Sequence, residues 1–162
     1  IINNANFYES ILDGFRVILC KVTNCNFDKT KIGYGKFSGA VLTGSTFRFA
    51  QIDCCLMADA NLAGVDFTGA MIFNTGLMRS NLQDTIFQGA KIRSSDLTDS
   101  MFENSNWFNL VVSASIMQNI NNHRTRINDS TEFIACIIKG INGEFYHYDE
   151  DDFMNIMFIE QQ

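Results

Sequence analysis

The sequence predicts an all-β solenoid. Two periodicities in its 162 residues carry that prediction: an apolar residue at every fifth position, and residue types that recur at every twentieth. Composition agrees. The chain has no proline, 15 phenylalanines and 11 glycines, and absence of proline suits a backbone whose N–H groups are all committed to inter-strand ladders.

The five-residue series begins at Ile2 and runs through Phe7, Leu12 and Val17 to Trp107, Val112 and Met117 without a polar interruption. A period of five fits neither an ordinary strand nor a helix. Two residues before each apolar centre the side chain is small, as at Ala40, Ser45, Ala50, Cys55, Ala60 and Ala70. Phe15, Val65 and Leu110 are the exceptions. Two residues after the centre, turn formers dominate, among them Gly14, Asn24, Gly39, Gly64, Asn74 and Asp84. Glycine and asparagine accept tight turns at least cost. Each block therefore reads as small residue, centre, corner.

Blocks such as Ala60-Asn61-Leu62-Ala63-Gly64 and Ser80-Asn81-Leu82-Gln83-Asp84 resemble the A-(D/N)-L-x-x consensus of the pentapeptide-repeat family. That resemblance covers about three quarters of the chain. It implies a right-handed quadrilateral parallel β-helix with four blocks per 20-residue coil. The side chains support a 20-residue coil independently. Face one collects Phe7, Phe27, Phe47, Phe67, Phe87 and Trp107; face two collects Leu12, Ile32, Ile52, Ile72, Ile92 and Val112. Face three holds Val17, Phe37, Met57, Leu77, Leu97 and Met117; face four holds Ile2, Val22, Leu42, Leu62, Leu82 and Phe102. One column is wholly aromatic and its neighbour is almost all β-branched. About six coils are expected over residues 1–119, a rod of ~25–30 Å at the ~4.8 Å strand spacing.

Ile2 is already a centre, so the reading expects a solenoid that starts mid-repeat, as a fragment of a longer chain would. At the other end the register fails after Met117, because the next centre would be Asn122. Residues 120–162 are read as a small mixed C-terminal cap. Asp129-Ser130-Thr131-Glu132 has the form of a helix capping box ahead of Phe133–Ile138, with Gly140 as a stop; a strand is the rival reading. Asn142-Gly143 signals a turn, Glu144–Tyr148 a short strand, and Asp149–Asp152 a helix start with Phe153, Ile156 and Met157 as its apolar stripe.

Chemistry-bearing motifs are sparse. There is no GxSxG, phosphate loop or HExxH motif, and both histidines, His123 and His147, lie in the last quarter of the sequence. His147 near Asp149, Asp151 and Asp152 reads as a solvated strand end before a helix start rather than a metal site. Cys20, Cys25 and Cys55 occupy the small inward position and read as packing residues; Cys54 points outward. No catalytic residue, cofactor or metal is expected. Five cysteines cannot all pair internally, and a reducing compartment is the simpler reading, either the cytoplasm or a host cell receiving a secreted protein.

The surface is more informative. Phe49, Leu56, Met71, Phe73 and Met78 fall at positions that should face solvent, in the third and fourth coils and on two adjacent sides. A contiguous apolar patch often marks a partner site. Net charge is −6, yet residues 5–119 hold ten acids and nine bases, so the acidity lies toward the C-terminus. The expected function is a non-enzymatic protein–protein interaction scaffold within a larger bacterial protein. The family resemblance extends this to secreted effectors. The expected partner is a protein; neither nucleic-acid binding nor a membrane span is expected. Two alternatives stand beside it: a DNA mimic that binds a type II topoisomerase, and the substrate-recognition arm of a larger effector enzyme.

Overall fold

The structure is a computed structural model that describes residues 1–139 and the backbone of the strand Phe145–His147. Face two forms one continuous parallel sheet of seven strands, one per turn: Ile11–Asp13, Lys31–Gly33, Gln51–Asp53, Met71–Phe73, Lys91–Arg93, Val111–Ser113 and Glu132–Ile134. Its register is 20 residues per step, with Ile32↔Ile52↔Ile72↔Ile92 in line. The β-branched column is thus the column that makes a true sheet, as its preference for a pleated surface requires. The other faces are joined mainly by single parallel bridges, such as Lys36↔Leu56 and Val41↔Asn61.

The corners explain the third position of each block. From Asn4 to Arg124, every second residue after a centre has φ near +50 to +70°, whether glycine, asparagine or a larger residue such as Leu19, Tyr34, Phe49 or Arg79. Side chains other than glycine and asparagine are strained in this region. No valine, isoleucine or threonine stands at any of these corners. The Asn/Asp before a centre has a role too. The side chains of Asn61, Asp66, Asn81 and Asp96 accept the backbone N–H two residues on, closing the local turn.

Both inward positions fill the core. Phe27, Phe47, Phe67 and Phe87 are fully buried. Their rings stack at 4.6, 5.3 and 5.1 Å between centroids. The small polar residues are satisfied by backbone: Ser80 Oγ donates to Met57 O at 2.7 Å and Ser100 Oγ to Leu77 O at 2.7 Å. Cys25 and Cys55 are buried in the core cluster, while Cys20 is half-buried at its edge.

The expected helix over Asp129–Ile138 does not form, and the rival strand reading holds. Among the described residues there is no helix at all. The parallel ladder runs on through Asn121 and Arg126 to the strands Glu132–Ile134 and Ile137–Lys139, giving seven turns rather than six. The capping-box residues form a corner instead. Thr131 Oγ1 donates to Trp107 O at 2.8 Å, and Asn128 Oδ1 accepts the Asn109 N–H at 2.9 Å. The Val111–Ser113 edge offers Glu132 a ladder partner that an isolated helix turn lacks. One extra residue enters at this corner, so Phe133 lies over Val112 and Ile138 over Met117, 21 residues apart. Phe145–His147 pairs with Thr125–Ile127, which bears out the expected strand there. The Asn142-Gly143 turn, Gly140 and the Asp149–Met157 helix lie outside the described residues.

Candidate interaction surface

The five patch residues occupy five surface columns in two adjacent turns. Met71 and Phe73 flank the buried Ile72 on the outer side of face two, each half-buried. Leu56 lies on face three and is 48% exposed. Met78, on the same face one turn later, is half-buried. Gly76 creates the hollow these two share: a Cβ there would stand 3.2 Å from Met78 Sδ and 3.9 Å from Leu56 Cδ2. Phe49 sits apart, at the corner between faces one and two, and is 58% exposed. Its ring lies on Gly69, where an added Cβ would come within 2.5 Å. The structure therefore brings Leu56 and Met78 together, sets Met71 and Phe73 on the neighbouring face, and places Phe49 on a glycine shelf at its far edge.

Tyr34, at the corner between faces two and three, is 67% exposed and extends the apolar area toward the N-terminal turns. Sequence reasoning passed over it. The signal was available, because an aromatic in a column of turn formers is the same anomaly that singled out Phe49.

Ladder register shows what surrounds the patch. Lys91 follows Met71, Arg93 follows Phe73, and Lys36 precedes Leu56, each one turn away in the same column. Lys31 occupies the Met71 column two turns earlier. None of these four bases has a side-chain hydrogen bond or ion pair among the described residues. Two acids in the same columns, Asp53 and Asp96, accept local hydrogen bonds. Asp53 Oδ1 accepts Asn74 Nδ2 at 2.9 Å, and Asp96 Oδ1 accepts the Thr98 hydroxyl at 2.6 Å and its N–H at 2.9 Å. The patch is thus apolar at its centre, with Lys31, Lys36, Lys91 and Arg93 and the carboxylates of Asp53 and Asp96 around it.

Three ion pairs lie elsewhere among the described residues, Lys29 with Glu9 at 3.2 Å and two made by arginines. On face one the buried Asp28 carboxylate receives the Arg48 guanidinium at 2.6 and 2.8 Å and the Arg48 N–H at 2.9 Å. Burial alone would raise the Asp28 pKa; hydrogen bonds from Arg48 and Thr46, with the Arg48 charge, hold it below the ordinary 3.8. Arg79 grips Asp59 in bidentate fashion at 2.7 and 2.9 Å on the corner between faces three and four. Desolvation pushes the Cys55 thiol up to about 11, which makes it a packing group rather than a nucleophile. Among the described residues no three His, Cys, Asp or Glu side chains gather as a metal site, and no helix is long and apolar enough to cross a membrane.

The model of the pentapeptide-repeat family matches residues 60–99 in eight copies, in the same register as the ladder. Residues 60–99 thus carry pentapeptide repeats. Solved pentapeptide-repeat structures are similar to it. One from the Arabidopsis thaliana thylakoid lumen is 21% identical over 61% of this chain and 66% of its own, with a TM-score of 0.48. Rfr23 from the cyanobacterium Cyanothece 51142 is 14% identical over 87% and 85%, with a TM-score of 0.47. QnrB1, a plasmid-mediated fluoroquinolone resistance protein, is 12% identical over 88% and 83%, with a TM-score of 0.35. No curated protein sequence matches the chain. At these values the similarities carry no function to this chain.

Proposed function

We propose that this solenoid is a non-enzymatic protein-binding scaffold, a module of a larger bacterial protein, and that it docks its partner through faces two and three. One observation supports this above the others: an apolar surface of Leu56, Met71, Phe73 and Met78 on two adjacent faces, with Lys36, Lys91 and Arg93 in the same columns one turn away. Buried apolar anchors surrounded by a charged rim are the usual composition of a binding surface. The DNA-mimic reading needs a dense line of negative charge, one per ~1.7 Å of axis, whereas faces two and three mix Lys31, Lys36, Lys91 and Arg93 with Asp13, Asp53 and Asp96.

Affinity capture from bacterial and host-cell lysates tests the reading. The native chain is compared with Met71→Asp plus Phe73→Asp, and circular dichroism establishes that both fold alike. A protein retained by the native form and lost from the variant is the expected outcome. Equal retention by both forms would remove the patch from the account.

A further inference from the structure

The seventh turn, residues 122–139, is held less firmly than the turns in the middle of the rod. Asn122 stands at its first centre, in the column of Leu42, Leu62, Leu82 and Phe102. Its side chain is fully buried, and neither Nδ2 nor Oδ1 has a hydrogen-bond partner among the described residues. A buried amide without partners gives up its hydration and receives nothing in exchange. The backbone there stays in the ladder: the Phe102 N–H donates to Asn121 O at 2.6 Å, and the Thr125 N–H to Asn122 O at 2.9 Å. The penalty therefore falls on the side chain alone. Two further features act in the same direction. The residue inserted at the Asn128–Thr131 corner lengthens the step to 21 residues. The centres Phe133 and Ile138 are half-buried, whereas Ile72, Leu77, Leu82 and Phe87 are at most 1% exposed.

We propose that the seventh turn is a separately opening end of the rod, with Asn122 as the joint at which it parts from the sixth. Opening hydrates the Asn122 amide, so the burial that stabilises the apolar centres opposes closure here. The bonds that break are those between the two turns: Arg126 N–H to Ser105 O, Trp107 N–H to Arg126 O, Glu132 N–H to Leu110 O and Ile137 N–H to Ser115 O. The strand Phe145–His147, paired with Thr125–Ile127, goes with the turn. Opening also takes the Phe133 ring away from Trp107, 6.0 Å from it in the closed form, and bares the Val111–Ser113 edge of the long sheet. Turns in such a stack touch only their neighbours, so an end turn can open while the others stay closed. The joint is independent of the apolar patch, which lies in the third and fourth turns.

Amide hydrogen exchange of the full chain, resolved by NMR, tests this. The Arg126, Glu132 and Ile137 amides should exchange on the order of a hundredfold faster than the mid-rod Phe67 and Lys91 amides. Their protection factors should agree within about threefold, because they open together. Asn122→Leu should slow all three about tenfold, the scale set by burying an unpaired amide, and leave the first-turn Phe7 and Val17 amides unchanged. Asn122→Val is measured beside it, so that a leucine too large for the site does not hide the effect; circular dichroism establishes that both variants fold. Exchange in the seventh turn as slow as in mid-rod would overturn the proposal. So would protection that declines residue by residue toward Lys139, which is the fraying of an end, or seventh-turn amides indifferent to both substitutions. Loss of the folded spectrum in both variants would mean that the Asn122 amide stabilises the closed turn, and would overturn it as well.

Discussion

Replacing Phe67 by alanine probes how the solenoid holds itself together. The ring is fully buried and stacks on Phe47 at 5.3 Å and on Phe87 at 5.1 Å. Removing a buried phenylalanine costs about 3–5 kcal/mol, more where the surroundings cannot collapse. Collapse is restricted here, because both neighbouring turns are pinned by ladder bonds: Phe47 N–H to Asp66 O at 2.8 Å and Phe67 N–H to Ile86 O at 2.7 Å. The upper half of that range, about 4–5 kcal/mol, is therefore expected. Phe7 occupies the same column but is half-buried and stacks on one side alone, on Phe27 at 4.7 Å. Phe7→Ala should cost about half as much. Urea unfolding followed by far-ultraviolet circular dichroism and by emission of Trp107, the one tryptophan, measures both effects. Trp107 lies two turns from Phe67, so coincident curves mean that the turns unfold as a unit, and separated curves mean that coupling is nearest-neighbour. A cost below about 1.5 kcal/mol for Phe67→Ala, or one no larger than for Phe7→Ala, would refute the stacked-column account.

Other outcomes follow from single positions. Asn122 stands at a buried centre on face four, below Leu42, Leu62, Leu82 and Phe102, and neither amide atom has a hydrogen-bond partner among the described residues. Asn122→Leu should raise stability by about 1–3 kcal/mol, read as a higher urea midpoint. At Gly64 an added Cβ meets nothing within 4 Å, whereas at Gly69 it meets the Phe49 ring; both have positive φ. Gly69→Ala should therefore destabilise more than Gly64→Ala, and adding Phe49→Ala should remove the excess. Because the folded Asp28 pKa is depressed, its stabilising contribution is present above the unfolded value and fades as pH falls below about 3.8. In an NMR carboxylate titration, Arg48→Met should move Asp28 upward. Alkylation of the native chain should spare Cys25 and Cys55, which are buried, until the chain unfolds.

Much of this was legible because a solenoid writes its geometry as a period. The centres, the small inward residues and the four faces can be read from Ile2 to Met117 without any structure. The reading stopped at Met117 for a physical reason: Asn122 is polar at a position where the rule demands an apolar side chain. One inserted residue at the Asn128–Thr131 corner then moved Phe133 and Ile138 out of frame. Local sequence there favours a helix cap, but an open parallel edge satisfied the same backbone groups and prevailed. The patch was visible as apolar residues in outward columns. The local hydrogen bonds that Asp53 and Asp96 accept beside it were not, because nothing in the spacing reports them.

The central claim is that one side of the rod binds and the opposite side does not. Its most direct measurement is quantitative capture by three forms of the chain: native, Met71→Asp with Phe73→Asp, and a face-four control, Thr43→Asp with Ala63→Asp. The account predicts that the control retains the same partner as the native chain while the face-two form loses it. Loss from both forms alike, or from neither, would contradict a sided docking surface.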